Sequence, residues 1–371
     1  MGGKGNSETL RAEIRKVRLS ELESFIHSEL FGQLVYIPVT PARASSYMKN
    51  PHGLPDDVVL IMAFVDGHLV AFRSLFAGMV QKGMERIRFG WCSGNWVHPQ
   101  YRKKGLSQRL LTEAYTDWNG RLMFTNYATE SENLYLKTGW FHEIHRYEGV
   151  RGYLFLKKGR LMNLIKNKAV PSPVFSLVSY GIHLIARYRV YMLGRQGEMK
   201  LQFEESEYPD STCFRFLHDN PGNYLFVRNE EDWNWIFGYP WITGNSSGIK
   251  NKYPFSSVSG DFYYRTIKVQ HNGVLAGFFI FSVREGHLKT LFFLLEPGIE
   301  KDVAGYIRLF AAREKLEMAT VYHSEVARYL LKDKSPFIYV KKFGQKIYST
   351  FEPGLSGSQV IRDSEGDYIF T

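Results

Sequence analysis

The 371-residue chain has little cysteine: Cys92 and Cys213 are its two thiols. Two thiols cannot build a disulfide framework, and no Cys/His spacing suited to zinc occurs, so a reducing, cytoplasmic setting and no metal are the expectation. The start MGGKGNSETL lacks the apolar core of a secretory leader. It also sets Asn6 where an N-myristoylation signal has Ser or Thr. No zinc finger, RNP string or other nucleic-acid module appears, so no nucleic-acid partner is expected. Acidic residues are missing from one stretch altogether. Residues 157–196 hold Lys157, Lys158, Arg160, Lys166, Lys168, Arg187, Arg189 and Arg195 with no Asp or Glu, which is eight of the ten net positive charges. At this length the chain is expected to form two domains, each with its own core.

VVLIMAFVDGHLVAFRSLF (58–76) reads as two strands joined at Asp66-Gly67, a strong hairpin signal. A turn around Gln81-Lys82-Gly83 leads to a third strand ending at Val97. Ser93 and Gly94 inside it suggest a bulge. Leu106, Leu110, Ala114 and Trp118 then recur at helical spacing, and Asn119-Gly120 closes that helix. Leu122 to Tyr127 reads as a further strand. Thr129-x-x-Glu132 is a capping-box signature for a short helix that Gly139 is placed to end.

Between the third strand and the first long helix lies VHPQYRKKGLSQRLL (97–111). A glycine-bearing basic turn at a helix start suits a polyanion. The first-turn N–H groups are unpaired there and the helix dipole is positive. Gly105 removes a Cβ, and Arg102, Lys103 and Lys104 add attraction. The string Arg102-Lys103-Lys104-Gly105-Leu106-Ser107 resembles the R/Q-x-x-G-x-G/A pattern of the GNAT acyl-CoA N-acyltransferases, with Ser107 in the last small position. Leu134-Tyr135-Leu136-Lys137-Thr138-Gly139-Trp140 is similar to that family's later L-Y-x-K-x-G-F signature. The asparagine usually seven residues before the tyrosine is absent: Ala128 stands there, and Asn126 lies two residues earlier.

The resemblance implies an α/β (α+β) fold with a mixed sheet flanked by helices, over residues 10 to about 158. It implies acetyl-CoA held between the fourth and fifth strands, its pyrophosphate on Arg102, Lys103, Lys104, Gly105, Leu106 and Ser107. Backbone N–H near Val97 would bond the thioester carbonyl, and Tyr135 would protonate the departing thiolate. The alternative for Tyr135 is a packed aromatic. The base stays open: Arg86 to Val97 holds no carboxylate, and His98, Glu130 and Glu132 each have an ordinary explanation as strand-end or helix-start residues.

The second half echoes the first. VQHNGVLAGFFIF (269–281) repeats the hairpin with Asn272-Gly273 in the turn, and Leu295-Glu296-Pro297 echoes Val97-His98-Pro99. Counting on from each proline, Val303 replaces Gly105, while Glu300, Lys301 and Asp302 replace Arg102, Lys103 and Lys104. The expectation is two tandem GNAT-like domains, 1–158 and 200–371, with the cofactor site kept in the first. The basic connector 159–199 includes VFSLVSYGIHLIARYRVYML. That segment either packs between the domains or lies as an amphipathic helix on an anionic membrane, a peripheral contact spanning 157–196. Asn223 to Trp241 is dense in tryptophan; Trp233 and Trp235 read as core or as a stacking wall for the acceptor. The acceptor is expected to be a small-molecule amine, with an amino sugar of a surface-polysaccharide pathway suggested by analogy. A Fem-type aminoacyl transferase and a non-catalytic binding protein are the competing classes. The C-terminal residues 360–371 suggest no chemistry.

Overall fold

The structure is a computed structural model that describes residues 11–126, 129–155, 172–193, 201–244, 247–354, 360–362 and 365–370. The Thr129, Glu130 and Ser131 side chains lie outside what it describes, as do residues 156–171 of the basic stretch. The proposed capping box therefore falls outside it in part.

Six strands come from the first half: β1 Glu13–Arg18, β2 Val58–Val65, β3 His68–Lys82, β4 Glu85–Val97, β5 Leu122–Thr125 and β6 His142–Tyr153. Six match them in the second: β7 Gln202–Ser206, β8 Phe262–His271, β9 Val274–Arg284, β10 His287–Leu295, β11 Met318–Val321 and β12 Tyr339–Ser349. The helices α1 Leu22–Ile26, α2 Glu29–Gln33 and α3 Pro41–Met48 precede β2. α4 Leu106–Asp117 and α5 Thr129–Leu136 flank β5, and α6 Ser172–Leu193 lies in the connector. α7 Ser211–Asp219, α8 Glu230–Gly238, α9 Ser247–Lys252, α10 Glu300–Arg313 and α11 Ser324–Lys332 follow.

Local chemistry accounts for the turns. Asp66 and Gly67 have φ of 49° and 77°, and Asn272 and Gly273 have 52° and 78°. Those are the positive angles that a two-residue hairpin requires. Gly139, at φ 71°, stands past the end of α5 as expected.

All twelve strands form one sheet in the order β1-β2-β3-β4-β5-β12-β6-β11-β10-β9-β8-β7. The order reads the same from either edge, with a pseudo-two-fold between β12 and β6. Each half takes its last strand from the other: β12 pairs antiparallel with β5, and β6 with β11. The boundary near residue 158 thus divides the chain in sequence, while β6 lies among second-half strands in space.

Period-two alternation directs side chains to the two faces. On one face Ile61, Ala63, Leu75 and Cys92 pack under α4, and Phe279, Phe281 and Val283 pack with Val303 and Ile307 of α10. On the other face a single aromatic-rich core runs across both halves, from Phe72 and Trp91 to Trp233, Phe292 and Phe370.

Candidate active site

β4 and β5 are parallel and pair only at Gly90↔Leu122 and Trp91↔Met123. Beyond Trp91 they part. The ladder between β3 and β4 steps from Leu75↔Cys92 to Ser74↔Gly94, so Ser93 is the extra residue of a bulge, as its small neighbours suggested. A bulge bends its strand and frees backbone groups. His98 N–H donates to Val70 O at 2.8 Å. By the alternation of an antiparallel ladder, Val97 N–H then faces away from β3, into the opening.

The loop at the mouth holds two residues in the left-handed region, Lys103 (φ 63°) and Gly105 (φ 78°). Gly105 is the residue before α4 and supplies no side-chain cap, so the first-turn N–H groups of that helix stay unpaired within it. A Cβ at Gly105 would meet nothing within 4 Å; the space beside it is open. Arg102, Lys103 and Lys104 are exposed. Ser107, the departure from the GNAT pattern, donates to Asn95 Oδ1 at 2.8 Å and ties the helix start to β4. Leu106 is buried beneath the loop and anchors it.

Tyr135 reaches under this opening from α5. Its ring stacks on Phe124 with centroids 3.9 Å apart and meets Phe141 edge-on at 5.1 Å. Its hydroxyl accepts a hydrogen bond from Arg73 Nη1 at 2.6 Å. Arg73, on β3, is fully buried, and its Nε and Nη2 have no hydrogen-bond partner among the described residues. Cys92 lies against both groups. Burial pushes the Tyr135 phenol well above its ordinary range, and the Arg73 cation pulls against that shift without cancelling it. The phenol is therefore a neutral donor at physiological pH, held on a buried cation.

The sequence reading missed Arg73, although a lone arginine inside the apolar run HLVAFRSLFAGMV was a visible signal. It also missed the contribution of β12. Asn126 N–H donates to Lys346 O at 3.1 Å, and Lys346 N–H returns a bond to Asn126 Oδ1 at 2.7 Å. Glu132 accepts from the Tyr348 hydroxyl and, at 3.2 Å, from Lys346 Nζ. Burial raises the Glu132 carboxyl, but bonds from Tyr348, Lys346 and Asn126 outweigh it and hold the group below its usual range. An ionised carboxylate so engaged locks β12 to α5. His98 sits at the end of β4 among the rings of Tyr36, Trp96 and Tyr101, with Nδ1 buried and unpartnered among the described residues.

The tryptophans belong to the core. Trp233 is 1% exposed, stacked on Phe237 and edge-on to Phe292, so it offers no face to a ligand. Trp235 donates from Nε1 to Ser46 O at 2.7 Å. It also walls a cavity of about 60 Å³ at the junction of the halves, together with Phe76, Trp91, His52 and Asp232. His52 Nε2 and Asp232 Oδ1 are 2.7 Å apart there. The C-terminal segment is also structural: Glu365 is buried and paired with Arg228.

The second half repeats the frame with different residues. β10 and β11 pair only from His287↔Met318 to Lys289↔Thr320, and Leu291 is the bulged residue. Matching the two bulges sets Phe279 opposite Arg73, Leu291 opposite Ser93 and Phe293 opposite Asn95. Leu330 stands as far into α11 as Tyr135 stands into α5. The loop differs in a way that counting from the proline did not foresee. α10 begins at Glu300, three residues after Pro297, whereas α4 begins seven after Pro99. Val303 is consequently buried within α10 and is not a loop residue.

No protein-family model and no curated protein sequence matches the chain. Solved structures do. N-myristoyltransferase of Saccharomyces cerevisiae with bound myristoyl-CoA is 12% identical, with 91% of this chain and 78% of that one covered and a TM-score of 0.50. A GCN5-related N-acetyltransferase from Anabaena variabilis is 12% identical over 91% and 72%, at 0.47. A tandem GNAT protein from the clavulanic acid biosynthesis pathway is 10% identical over 93% and 100%, at 0.46. At such identities likeness speaks to fold alone. With its bulged fourth strand, splayed parallel fifth strand and glycine loop before the helix, repeated as a frame in the second half, the chain has the GNAT fold in tandem.

Proposed function

We propose that the protein is an acyl-CoA-dependent N-acyltransferase with one active site per chain, in the first half, and that its donor is acetyl-CoA. The observation that carries this reading is the contrast between the copies. Arg73, Ser93, Asn95 and Tyr135 stand at or beneath the bulge where β4 and β5 part, while Phe279, Leu291, Phe293 and Leu330 hold the matching positions of the second half.

Val97 N–H and the residues Arg102 to Ser107 would hold the donor, its pyrophosphate on the unpaired first turn of α4. The acceptor nitrogen attacks the thioester carbonyl, whose oxygen takes the Val97 N–H bond. The new C–N bond forms and the C–S bond breaks. The thiolate takes the phenolic proton of Tyr135, and Arg73 stabilises the phenolate that results. The amine's surplus proton leaves to solvent and the phenol is reprotonated. The packed aromatics beyond the bulge, Phe72 on Trp96 at 5.5 Å among them, favour a short acyl group.

The acceptor is a small amine, an amino sugar in this reading, approaching at the junction of the halves on the face opposite α4. There Arg43 binds Ser93 of the bulge and, at 2.7 Å, the Tyr253 hydroxyl from the second half. Calorimetric titration with acetyl-CoA tests the reading. One site per chain is expected, abolished by Gly105→Glu, which sets bulk and negative charge where the phosphates lie. Two equivalent sites, or none, would overturn it. Thiol release from acetyl-CoA across a panel of amino sugars then identifies the acceptor.

A further inference from the structure

Helix α6 has no share in that chemistry, yet it presents an unusual surface. Ala186 is fully buried in the core of the second half, Val190 packs against the same core, and the Arg189 guanidinium donates to Phe337 O. These contacts fix which way the helix faces. Tyr180, Leu184, Ile185, Tyr188 and Met192 are exposed by 64%, 47%, 49%, 64% and 42%. At about 100° per residue they fall within one arc of roughly 140°. Arg187, also exposed, borders that arc. Folded chains seldom leave so contiguous an apolar patch to water without a use for it.

We propose that α6 lays this face on an anionic lipid surface, as an interfacial anchor and not a span. Charge selects the occupant. The helix lies within the 157–196 stretch, which carries Arg187 and seven further cations and no acidic residue. A second copy of the chain on this face would set Arg187 against its like, whereas anionic headgroups complement it and the cations that flank the helix in sequence. Tyrosines suit the headgroup level, where a ring meets acyl chains and a hydroxyl meets water. No helix among the described residues is long and apolar enough to cross a membrane, which leaves the in-plane arrangement. The inference is independent of the acyl-transfer reading.

The test is flotation of the full-length protein with vesicles of phosphatidylcholine alone and of phosphatidylcholine with phosphatidylglycerol. Binding is expected only to the anionic vesicles, and to weaken as salt is raised. Leu184→Glu with Ile185→Glu should abolish it with the circular dichroism spectrum unchanged. Arg187→Glu, a surface change that spares the fold, should weaken binding on the order of tenfold. No flotation with anionic vesicles, or equal flotation with neutral ones, would overturn the proposal. So would a wild-type dimer in sedimentation that the double variant dissociates.

Discussion

Tyr135→Phe separates chemistry from packing at the candidate site. The substitution keeps the ring on Phe124, with centroids 3.9 Å apart, and deletes one oxygen. Arg73 already lacks partners at Nε and Nη2 among the described residues, and the substitution removes the Tyr135 oxygen from Nη1 as well. An unpaired buried donor costs about 1–3 kcal/mol, more when charged. At ~2–4 °C per kcal/mol for chains somewhat smaller than this one, the thermal midpoint should fall by a few degrees. Acetyl-CoA affinity in calorimetry should hold, while kcat for thiol release falls on the order of 10²–10⁴-fold. Adding Arg73→Met to that variant removes the stranded cation. The midpoint should recover in part and kcat should not. The pH dependence follows from the sign of the shift. Burial raises the phenol above its ordinary value, so it stays protonated throughout the range below about pH 10. The kcat profile should therefore show no basic limb from this residue there. An unchanged kcat in Tyr135→Phe, or recovery of kcat in the double variant, would refute the assignment and leave Tyr135 a packing residue.

The two tryptophans should respond differently. Trp233→Ala empties a fully packed position and should cost about 3–5 kcal/mol in denaturant unfolding. Trp235→Ala opens the wall of the junction cavity and should raise the acceptor KM while sparing acetyl-CoA binding. Gly105→Ala forces a Cβ into φ 78° and should cost on the order of 1–2 kcal/mol of stability even without ligand, read from the urea midpoint. Asp210 caps α7 through Thr212 and Cys213 N–H and contacts Lys268 Nζ at 2.8 Å. Burial raises its carboxyl, but Lys268 and the Cys213 N–H prevail and hold it at about 2. A depressed carboxylate stabilises the fold above its unfolded value near ~3.9, and that contribution drains away as pH falls toward 2. Asp210→Asn should flatten the loss of stability between those values, measured as midpoint against pH.

What the sequence by itself determined is local. A positive φ at Asp66-Gly67, Asn272-Gly273, Gly105 and Gly139 is imposed by the few residues around each, so turns, loop and helix ends could be read directly. Period-two and helical patterns placed the strands and α4 for the same reason. The bulge at Ser93 was visible in its small neighbours. Arg73 was legible too, as one cation in an apolar strand, but its meaning depended on a tyrosine sixty-two residues away.

Other features were decided only in three dimensions. The exchange of β6 and β12 is invisible in sequence, because either strand's alternation satisfies either neighbour and pairing is set by which edge lies closest. The same exchange brings Lys346 and Tyr348 to Glu132 across more than two hundred residues. Trp233 and Trp235 have the same density of apolar neighbours in sequence, and only packing encloses the first completely and sets the second, still in the core, against a cavity. In the second half the sequence keeps the proline, yet α10 starts four positions earlier than α4. Val303 is drawn into the helix because its side chain is apolar and burial against the sheet stabilises it there.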